Sequence, residues 1–111
     1  MLQLDLSNFE DEILEASEPC IVTFKRETCH LCKGLTPVME RLSRRYKYKF
    51  AIIDCDEQPD LINLFEVEGV PTVFVFIDGN GSEVEYPEHP NRISVYSETY
   101  LIRFLEEIKN V

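Results

Sequence analysis

Two cysteines separated by two residues are the part of this chain best suited to chemistry. The segment Cys29-His30-Leu31-Cys32 follows a short apolar run and opens an amphipathic stretch, so a strand is predicted to give way to a helix here. Residues three apart on a helix have Cβ atoms about 5–6 Å apart, which lets two sulfurs bond and separate without unfolding the chain. Unpaired N–H groups and the positive end of the helix dipole should stabilise a thiolate at Cys29. Cys32, deeper in the first turn, is expected to be less exposed and less acidic.

The same cysteine spacing also occurs in zinc sites and in purely structural pairs. A structural zinc site needs four ligands, usually two such pairs or one pair with two spaced histidines. The other candidates here are Cys20, Cys55, His30 and His89, and they lack ligand spacing. We therefore expect no metal. Cys20 and Cys55 lie in apolar strand contexts, which is typical of small buried hydrophobic residues.

Size and composition predict one globular domain over residues 1–111. The chain has 111 residues, of which 44% are hydrophobic, enough for a core without disulfide cross-links. No apolar run approaches the ~20 residues that cross a bilayer, and no signal peptide is visible. We therefore expect no membrane partner and a cytoplasmic location.

Charge is distributed unevenly along the chain. The net charge is −10, which argues against nucleic acid as a partner. Eight of the 11 basic residues nevertheless lie between Lys25 and Lys49. This run is either a solvated helix face or partly a basic surround for the cysteine pair. Lys25, Arg26 and Lys33 would favour a thiolate at Cys29, although exposed charges are screened by salt.

The remaining pattern predicts alternating helices and strands. Helices are expected at residues 7–16, where Ser7 and Glu10 have capping-box spacing, at 31–46, from 56 to an end at Gly69, and at 97–108. Strands are expected at 20–24, 50–53, 73–77 and 82–86, with a turn at 78–81 and a loop at 87–96. Pro37 should kink the second helix. This order predicts an α/β fold: a central mixed sheet of about four strands with helices on both faces.

Position along the chain links the cysteine pair to a known family. Cys-x-x-Cys follows a strand, continues into Lys33, and is followed five residues after Cys32 by a proline. Val70-Pro71-Thr72 later leads directly into the most apolar strand, before Asp78-Gly79. In this combination, which extends over about residues 9–108, the sequence resembles the thioredoxin family.

The resemblance implies a thioredoxin-like fold and the activity of a protein disulfide oxidoreductase. Cys29 would attack a disulfide in a protein substrate, and Cys32 would resolve the mixed disulfide. Val70, Pro71 and Thr72 would bind the extended substrate segment, with Pro71 in a cis peptide bond. Implied partners are disulfide-containing proteins and a separate recycling reductase or oxidant. The redox-active Cys29–Cys32 disulfide would serve in place of a cofactor, in electron transport and cell redox homeostasis.

The sequence also departs from the family pattern. Thr28 stands where the family usually has tryptophan, and Thr23 where it commonly has a buried aspartate that helps to deprotonate the second cysteine. Glu27 would either replace that aspartate through water or simply be solvated. His30-Leu31 replaces the usual glycine–proline dipeptide, so His30, Leu31 and Lys33 are expected to tune the pair. A protonated His30 would make it more oxidising, whereas a solvated loop histidine would have little effect.

These departures leave a second functional class open. The chain would then be a thioredoxin-fold interaction module that binds partners at the Pro71 surface, with redox turnover incidental. Thr23 and Thr28 favour this alternative, and the intact cysteine pair opposes it. Metal binding is the weakest hypothesis, because ligands are lacking.

Overall fold

A computed structural model describes residues 1–109 as alternating strands and helices. In chain order they are β1 (Leu2–Gln3), a one-turn π-helix (Glu10–Leu14), β2 (Cys20–Lys25), α1 (His30–Arg45), β3 (Lys49–Asp54), α2 (Pro59–Phe65), β4 (Thr72–Ile77), β5 (Asn80–Glu83) and α3 (Glu98–Ile108). No helix in this described range is long and apolar enough to span a bilayer.

The five strands form one mixed sheet in the order β1-β3-β2-β4-β5. β3 pairs in parallel with β1 and β2, and β4 pairs antiparallel with β2 and β5. The predicted mixed sheet is therefore confirmed, with parallel pairing among β1, β2 and β3 and antiparallel pairing at β4. β2 occupies the centre of the sheet, so the strand that leads into the cysteine pair is held on both edges.

Helices cover both faces of the sheet, as predicted. On one face, α1 and α3 pack onto the strands through residues that include Leu35, Leu42 and Leu101. On the other face, the π-helix and α2 supply Phe9, Ile13 and Leu61. Burying apolar side chains on both faces makes the sheet a rigid support for the residues at its strand ends.

The prediction of an α-helix over residues 7–16 was wrong. The structure has only a π-turn at Glu10–Leu14, closed by a bond from the Glu15 N–H to the Glu10 carbonyl at 3.1 Å. Asp5, rather than Ser7, caps the turn that precedes it, because its carboxylate accepts hydrogen bonds from the backbone N–H groups of Ser7 and Asn8 at 2.8 and 3.1 Å. The π-turn itself starts only at Glu10, later than the Ser7–Glu10 spacing indicates, and no described side chain caps it.

Three further boundaries differ from expectation. A fifth strand, β1, was missed because two residues are too short to show a period. β5 lies at Asn80–Glu83 because Asp78 and Gly79, both at positive φ, form a two-residue turn that starts the return strand earlier. α2 begins at Pro59 rather than at residue 56, and it ends at Phe65 rather than at Gly69, because Glu66 adopts a left-handed conformation.

Pro37 lies inside α1 without ending it. The helix continues from His30 to Arg45, and the hydroxyl of Thr36 donates to the Cys32 carbonyl at 3.1 Å, one turn earlier. The expected kink stays a prediction. The described part of the final helix begins at Glu98, with Ser97 as its cap, which confirms the predicted start.

Candidate functional site

Cys29 caps the N-terminus of α1 with its own sulfur. Its backbone is extended, and its Sγ accepts a hydrogen bond from the N–H of Cys32 at 3.1 Å. The side chain is half-buried and so remains open to solvent on one side. A sulfur in this position lies at the N–H groups and the positive dipole end of the helix start.

Cys32 has a different environment, although it lies in the same helical turn. Only 2% of the residue is exposed. Burial, and then its hydrogen bond with Cys29, raises the pKa of the Cys32 thiol to about 12, while the backbone N–H of Arg26 acts in the opposite direction. The two sulfurs are therefore chemically unequal, with one accessible and the other hidden and protonated, as the sequence predicts.

The segment Val70-Pro71-Thr72 lies directly against the cysteine pair. The Cys29 thiol donates to the Val70 carbonyl oxygen across 3.9 Å, within range for sulfur. The Val70–Pro71 peptide bond is cis, the arrangement that the resemblance implies. Pro71 and Thr72 are buried, and the Thr72 hydroxyl donates to the Gly69 carbonyl at 2.5 Å. The structure thus brings together the two motifs that lie about forty residues apart in the sequence.

Tyr86 also contacts this segment, and the sequence analysis missed it. Its hydroxyl donates to the Pro71 carbonyl at 2.9 Å and lies 3.2 Å from the Thr72 hydroxyl, while half of its surface remains exposed. A signal for it does exist in the sequence. Counting outward from the Asp78-Gly79 turn places Tyr86 opposite Pro71, although β5 itself ends at Glu83.

Charged side chains next to the pair are held in ion pairs. Lys25, at the end of β2, contacts Glu27 at 2.5 Å, and Arg26 pairs with Asp56. A cavity of about 280 Å³ opens beside Cys32. Its lining residues are Lys25, Arg26, Glu27, Cys32, Lys33, Thr36, Pro37 and Glu40. Some of the basic residues between Lys25 and Lys49 therefore do lie around the cysteine pair, which is the second of the two interpretations of this run given above.

The residues expected to tune the pair lie at its outer side. His30 and Lys33 are exposed, and Leu31 is half-buried. Thr28, in the place of the family's tryptophan, is exposed as well. Thr23, in the place of its aspartate, is buried, and its hydroxyl has no hydrogen-bond partner among the described residues. The tuning roles of His30, Leu31 and Lys33 stay predictions.

The loop at residues 87–96 packs against the first turns of α1. Asn91 and Val95 form an isolated bridge within it, and the Asn91 side chain accepts from the N–H groups of Ile93 and Ser94 at 2.9 and 3.2 Å. Ile93 places its backbone against Gly34 and exposes 71% of its surface. Arg92 and His89, which the sequence singles out, are both exposed.

The other two cysteines are buried away from solvent. Burial is the main cause that raises the pKa of both the Cys20 and Cys55 thiols to about 11. All four cysteines are free thiols. Among residues 1–109, no group of three or more histidine, cysteine or acidic side chains is arranged to hold a metal ion.

Comparison with known proteins identifies the fold and the family. The family model described as Thioredoxin matches residues 1–98, which include the cysteine pair and the Val70-Pro71-Thr72 segment. The chain belongs to the thioredoxin family. The mixed sheet with helices on both faces is therefore a thioredoxin-like α/β fold, as the resemblance implies.

Individual thioredoxin-family relatives extend along most of the chain. A thioredoxin of Pseudomonas aeruginosa is 31% identical over 102 residues, covering 90% of this chain and 88% of its own. A protein disulfide-isomerase 2-3 of Arabidopsis thaliana is 31% identical over 107 residues, or 95% of this chain, which spans only 24% of that protein. Thioredoxin X, chloroplastic, of the same plant is 41% identical over 75 residues, covering 66% of this chain and 41% of its own.

Proposed function

We propose that this chain is a protein thiol–disulfide oxidoreductase in which Cys29 attacks a substrate disulfide and Cys32 resolves the mixed disulfide. The observation that carries the proposal is the unequal environment of the two sulfurs. Cys29 Sγ is half-buried and receives the Cys32 N–H at 3.1 Å, whereas Cys32 is buried with a pKa raised to about 12. Such a pair has one sulfur suited to start the exchange and one suited to finish it.

The reaction transfers two electrons to the substrate. The Cys29 thiolate attacks one sulfur of the substrate disulfide, so the substrate S–S bond breaks and its other sulfur leaves as a thiolate that takes up a proton. Cys32 then loses its proton and attacks Cys29 Sγ. The mixed disulfide breaks, the second substrate sulfur is released and protonated, and a Cys29–Cys32 disulfide remains. The dithiol of this chain is oxidised and the substrate disulfide is reduced.

The substrate surface is proposed at Val70, Pro71 and Thr72. The Val70 carbonyl lies 3.9 Å from Cys29 Sγ, so a peptide laid along this segment would bring its sulfur to Cys29. The partners are accordingly disulfide-containing proteins, together with a separate reductase or oxidant that resets the pair. The proposed redox group is the Cys29–Cys32 disulfide, and no further cofactor is invoked.

The direction of transfer and the compartment stay predictions. The reduction potential of the pair decides whether the chain reduces, oxidises or isomerises disulfides, and equilibration with glutathione buffers measures it. The named relatives include bacterial thioredoxins, a chloroplast thioredoxin and a plant disulfide isomerase, so they do not select one compartment. Roles in electron transport and redox homeostasis depend on that direction.

An insulin-reduction assay tests the proposal. With dithiothreitol as the reductant, the wild-type chain should accelerate insulin reduction well above the rate of dithiothreitol alone. Cys29→Ser should abolish the acceleration. In a parallel reaction without dithiothreitol, reduced Cys32→Ser should form a covalent complex with insulin that mass spectrometry detects and that added reductant cleaves. Cys20→Ala and Cys55→Ala are matched controls, because both thiols are buried and lie outside the pair, and they should retain the activity.

Two results would contradict the proposal. One is a wild-type rate no higher than that of dithiothreitol alone in a folded, fully reduced protein. The other is stable binding of a partner protein that Cys29→Ser and Cys32→Ser leave unchanged, with no covalent species. The second result would instead favour the interaction module that Thr23 and Thr28 keep open.

A further inference from the structure

The resolving step requires a thiolate at a sulfur that the fold hides. Cys32 is 2% exposed, and a thiol that ionises only well above neutral pH reacts slowly, because the thiolate is the nucleophile. The inference below rests on the proposed function and concerns which group stabilises that thiolate.

β2 carries no carboxylate that could help to deprotonate Cys32 from the interior of the protein. Thr23 shares with Ile21 the face of β2 that α1 covers, and its neutral hydroxyl has no partner in the described part of the chain. Two residues later on the same face of the strand comes Lys25, the last residue of β2. The strand therefore presents a cation to the cysteine pair where a carboxylate is absent.

Lys25 is partly buried and borders the same cavity as Cys32. Its side chain is 17% exposed, and the cavity between them measures about 280 Å³. This volume holds several water molecules at about 30 Å³ each, enough to receive a proton from Cys32. Partial burial reduces solvent screening, so an ammonium here acts more strongly on a nearby thiolate than an exposed one would.

The Lys25 charge is also partly engaged elsewhere. Its ammonium contacts the Glu27 carboxylate at 2.5 Å, while Glu27 itself is largely exposed. The hydrogen bond to Glu27 is the main cause that raises the pKa of Lys25, and both Asp54 and the Cys32 thiolate add to it. The other charged groups around the cavity are Arg26, Lys33 and Glu40, and Arg26 is held by Asp56.

We propose that the Lys25 ammonium stabilises the Cys32 thiolate during the resolving step, and that Glu27 competes with Cys32 for that charge. The Cys32 proton leaves to water in the cavity, the thiolate attacks Cys29 Sγ, and the substrate sulfur departs with the bonding electrons of the mixed disulfide. Lys25 acts through Cys32 and so is a positioning residue. Lys25 would therefore accelerate the resolving step, and Glu27 would slow it.

The test separates the two sulfur steps with DTNB, a small aromatic disulfide. Reduced protein in excess attacks DTNB through Cys29 and releases a first thionitrobenzoate, and Cys32 then displaces the second. Stopped-flow absorbance follows both phases between pH 6 and 10. Cys32→Ser should release only the first thionitrobenzoate, which assigns the phases.

Charge variants at the ion pair then address the second phase. Lys25→Met should slow it about tenfold at pH 7.5 and move its pH midpoint upward, because the thiolate loses a nearby cation. Lys25→Arg should restore most of the rate, and Glu27→Gln should accelerate the phase and lower its midpoint. The first phase should change less than the second in all three, since Cys29 is half-buried and solvent screens its charge more than it screens that of the buried Cys32. Lys47→Met is the matched control, an exposed lysine beyond the far end of α1.

The outcomes are distinct. Equal second phases in Lys25→Met and Lys47→Met overturn the inference, and so does a slower second phase in Glu27→Gln, which would make Glu27 the proton acceptor. If Lys25→Met fails to fold by circular dichroism, the sign of the Glu27→Gln effect still decides. A wild-type protein that releases no second thionitrobenzoate contradicts the proposed function itself, whatever the Lys25 variants do.

Discussion

Gly34 and Ile93 approach so closely that no side chain fits between them. A Cβ atom on Gly34 would lie 1.9 Å from the carbonyl oxygen of Ile93, far inside van der Waals contact. Gly34 lies two residues after Cys32 on α1, and Ile93 belongs to the loop at residues 87–96. The missing side chain therefore lets this loop pack its backbone onto the helix that carries the cysteine pair.

Gly34→Ala should destabilise the protein even though alanine is the better helix former. The helix gains about 1 kcal/mol from the substitution, but the clash with backbone forces the loop away and costs roughly 1–3 kcal/mol, occasionally more. Urea unfolding measures the difference, and amide exchange at residues 91–95 should become faster. Gly69→Ala is the control, because its Cβ would meet only the Tyr86 hydroxyl, at 3.9 Å. A stabilised Gly34→Ala protein with an unchanged loop would contradict the prediction.

Tyr86→Phe should weaken the proposed substrate surface. The variant loses the hydrogen bond to the Pro71 carbonyl and the contact with the Thr72 hydroxyl, at a cost of roughly 0.5–1.5 kcal/mol in the free energy of unfolding. Insulin reduction should slow about two- to fivefold, because a less firmly held segment positions its substrate less well, whereas the DTNB reaction should not change. Tyr100→Phe removes a bond to the Glu85 carbonyl at 2.7 Å and serves as the control. Equal insulin rates in the two variants would refute this role.

Thr23→Val should stabilise the protein. The buried Thr23 hydroxyl has no partner among the described residues, so an apolar group of the same shape removes a desolvation cost of about 1 kcal/mol. Thr72→Val should have the opposite effect, since the Thr72 hydroxyl donates to the Gly69 carbonyl at 2.5 Å. Thermal and urea unfolding of both variants provide the comparison. A destabilised Thr23→Val protein would reveal a hydrogen-bond partner for this hydroxyl, such as a buried water.

The reduced protein should lose stability as the pH rises above about 9. Burial raises the pKa of Cys20 and Cys55 to about 11 and that of Cys32 to about 12, from a reference value of 9.0. Between these values the folded chain retains protons that the unfolded chain releases, so the free energy of unfolding falls with pH, while below pH 9 it is unaffected by these groups. We expect a loss of roughly 1–4 kcal/mol between pH 7.5 and 10.

Urea unfolding in the presence of a phosphine reductant measures this loss. The Cys20→Ala/Cys55→Ala double variant should show a smaller fall, because two of the three raised thiols are gone. Oxidised protein should also lose less, since Cys32 no longer titrates. A free energy of unfolding that does not change between pH 7.5 and 10 would show that the buried thiols do not control alkaline stability.

The sequence predicted those helices and strands whose hydrophobic residues recur with a regular spacing. Alternation and helical spacing locate the strand before Cys29, the helix after it and the helix that begins at residue 98, because these signals extend over several turns or residues. The first helix was misplaced because the Asp5 carboxylate accepts from the N–H groups of Ser7 and Asn8, and the Ser7 hydroxyl donates to Asp5 instead of capping a helix. The spacing of Ser7 and Glu10 does not reveal these contacts.

The site was predictable where it is encoded in short motifs. Cys29, Cys32 and the Val70-Pro71-Thr72 segment were found by type and spacing, and the structure brings them together. Three features of the site depend instead on how separate elements pack together. They are the packing of Ile93 onto Gly34, the cavity that Lys25 and Cys32 both line, and the unpartnered hydroxyl of Thr23. No local pattern reports such tertiary contacts, so only the structure shows them.

The difference in accessibility between Cys29 and Cys32 has a consequence for how long a partner stays attached. In the proposed mechanism, the sulfur that would free a covalently held substrate is Cys32, which is 2% exposed, whereas a thiol in solution would have to reach the mixed disulfide from outside. The lifetime of the mixed disulfide would then depend more on Cys32 than on the concentration of dissolved thiols. The same partner should therefore stay attached for nearly the same time in a thiol-rich solution and in a thiol-poor one.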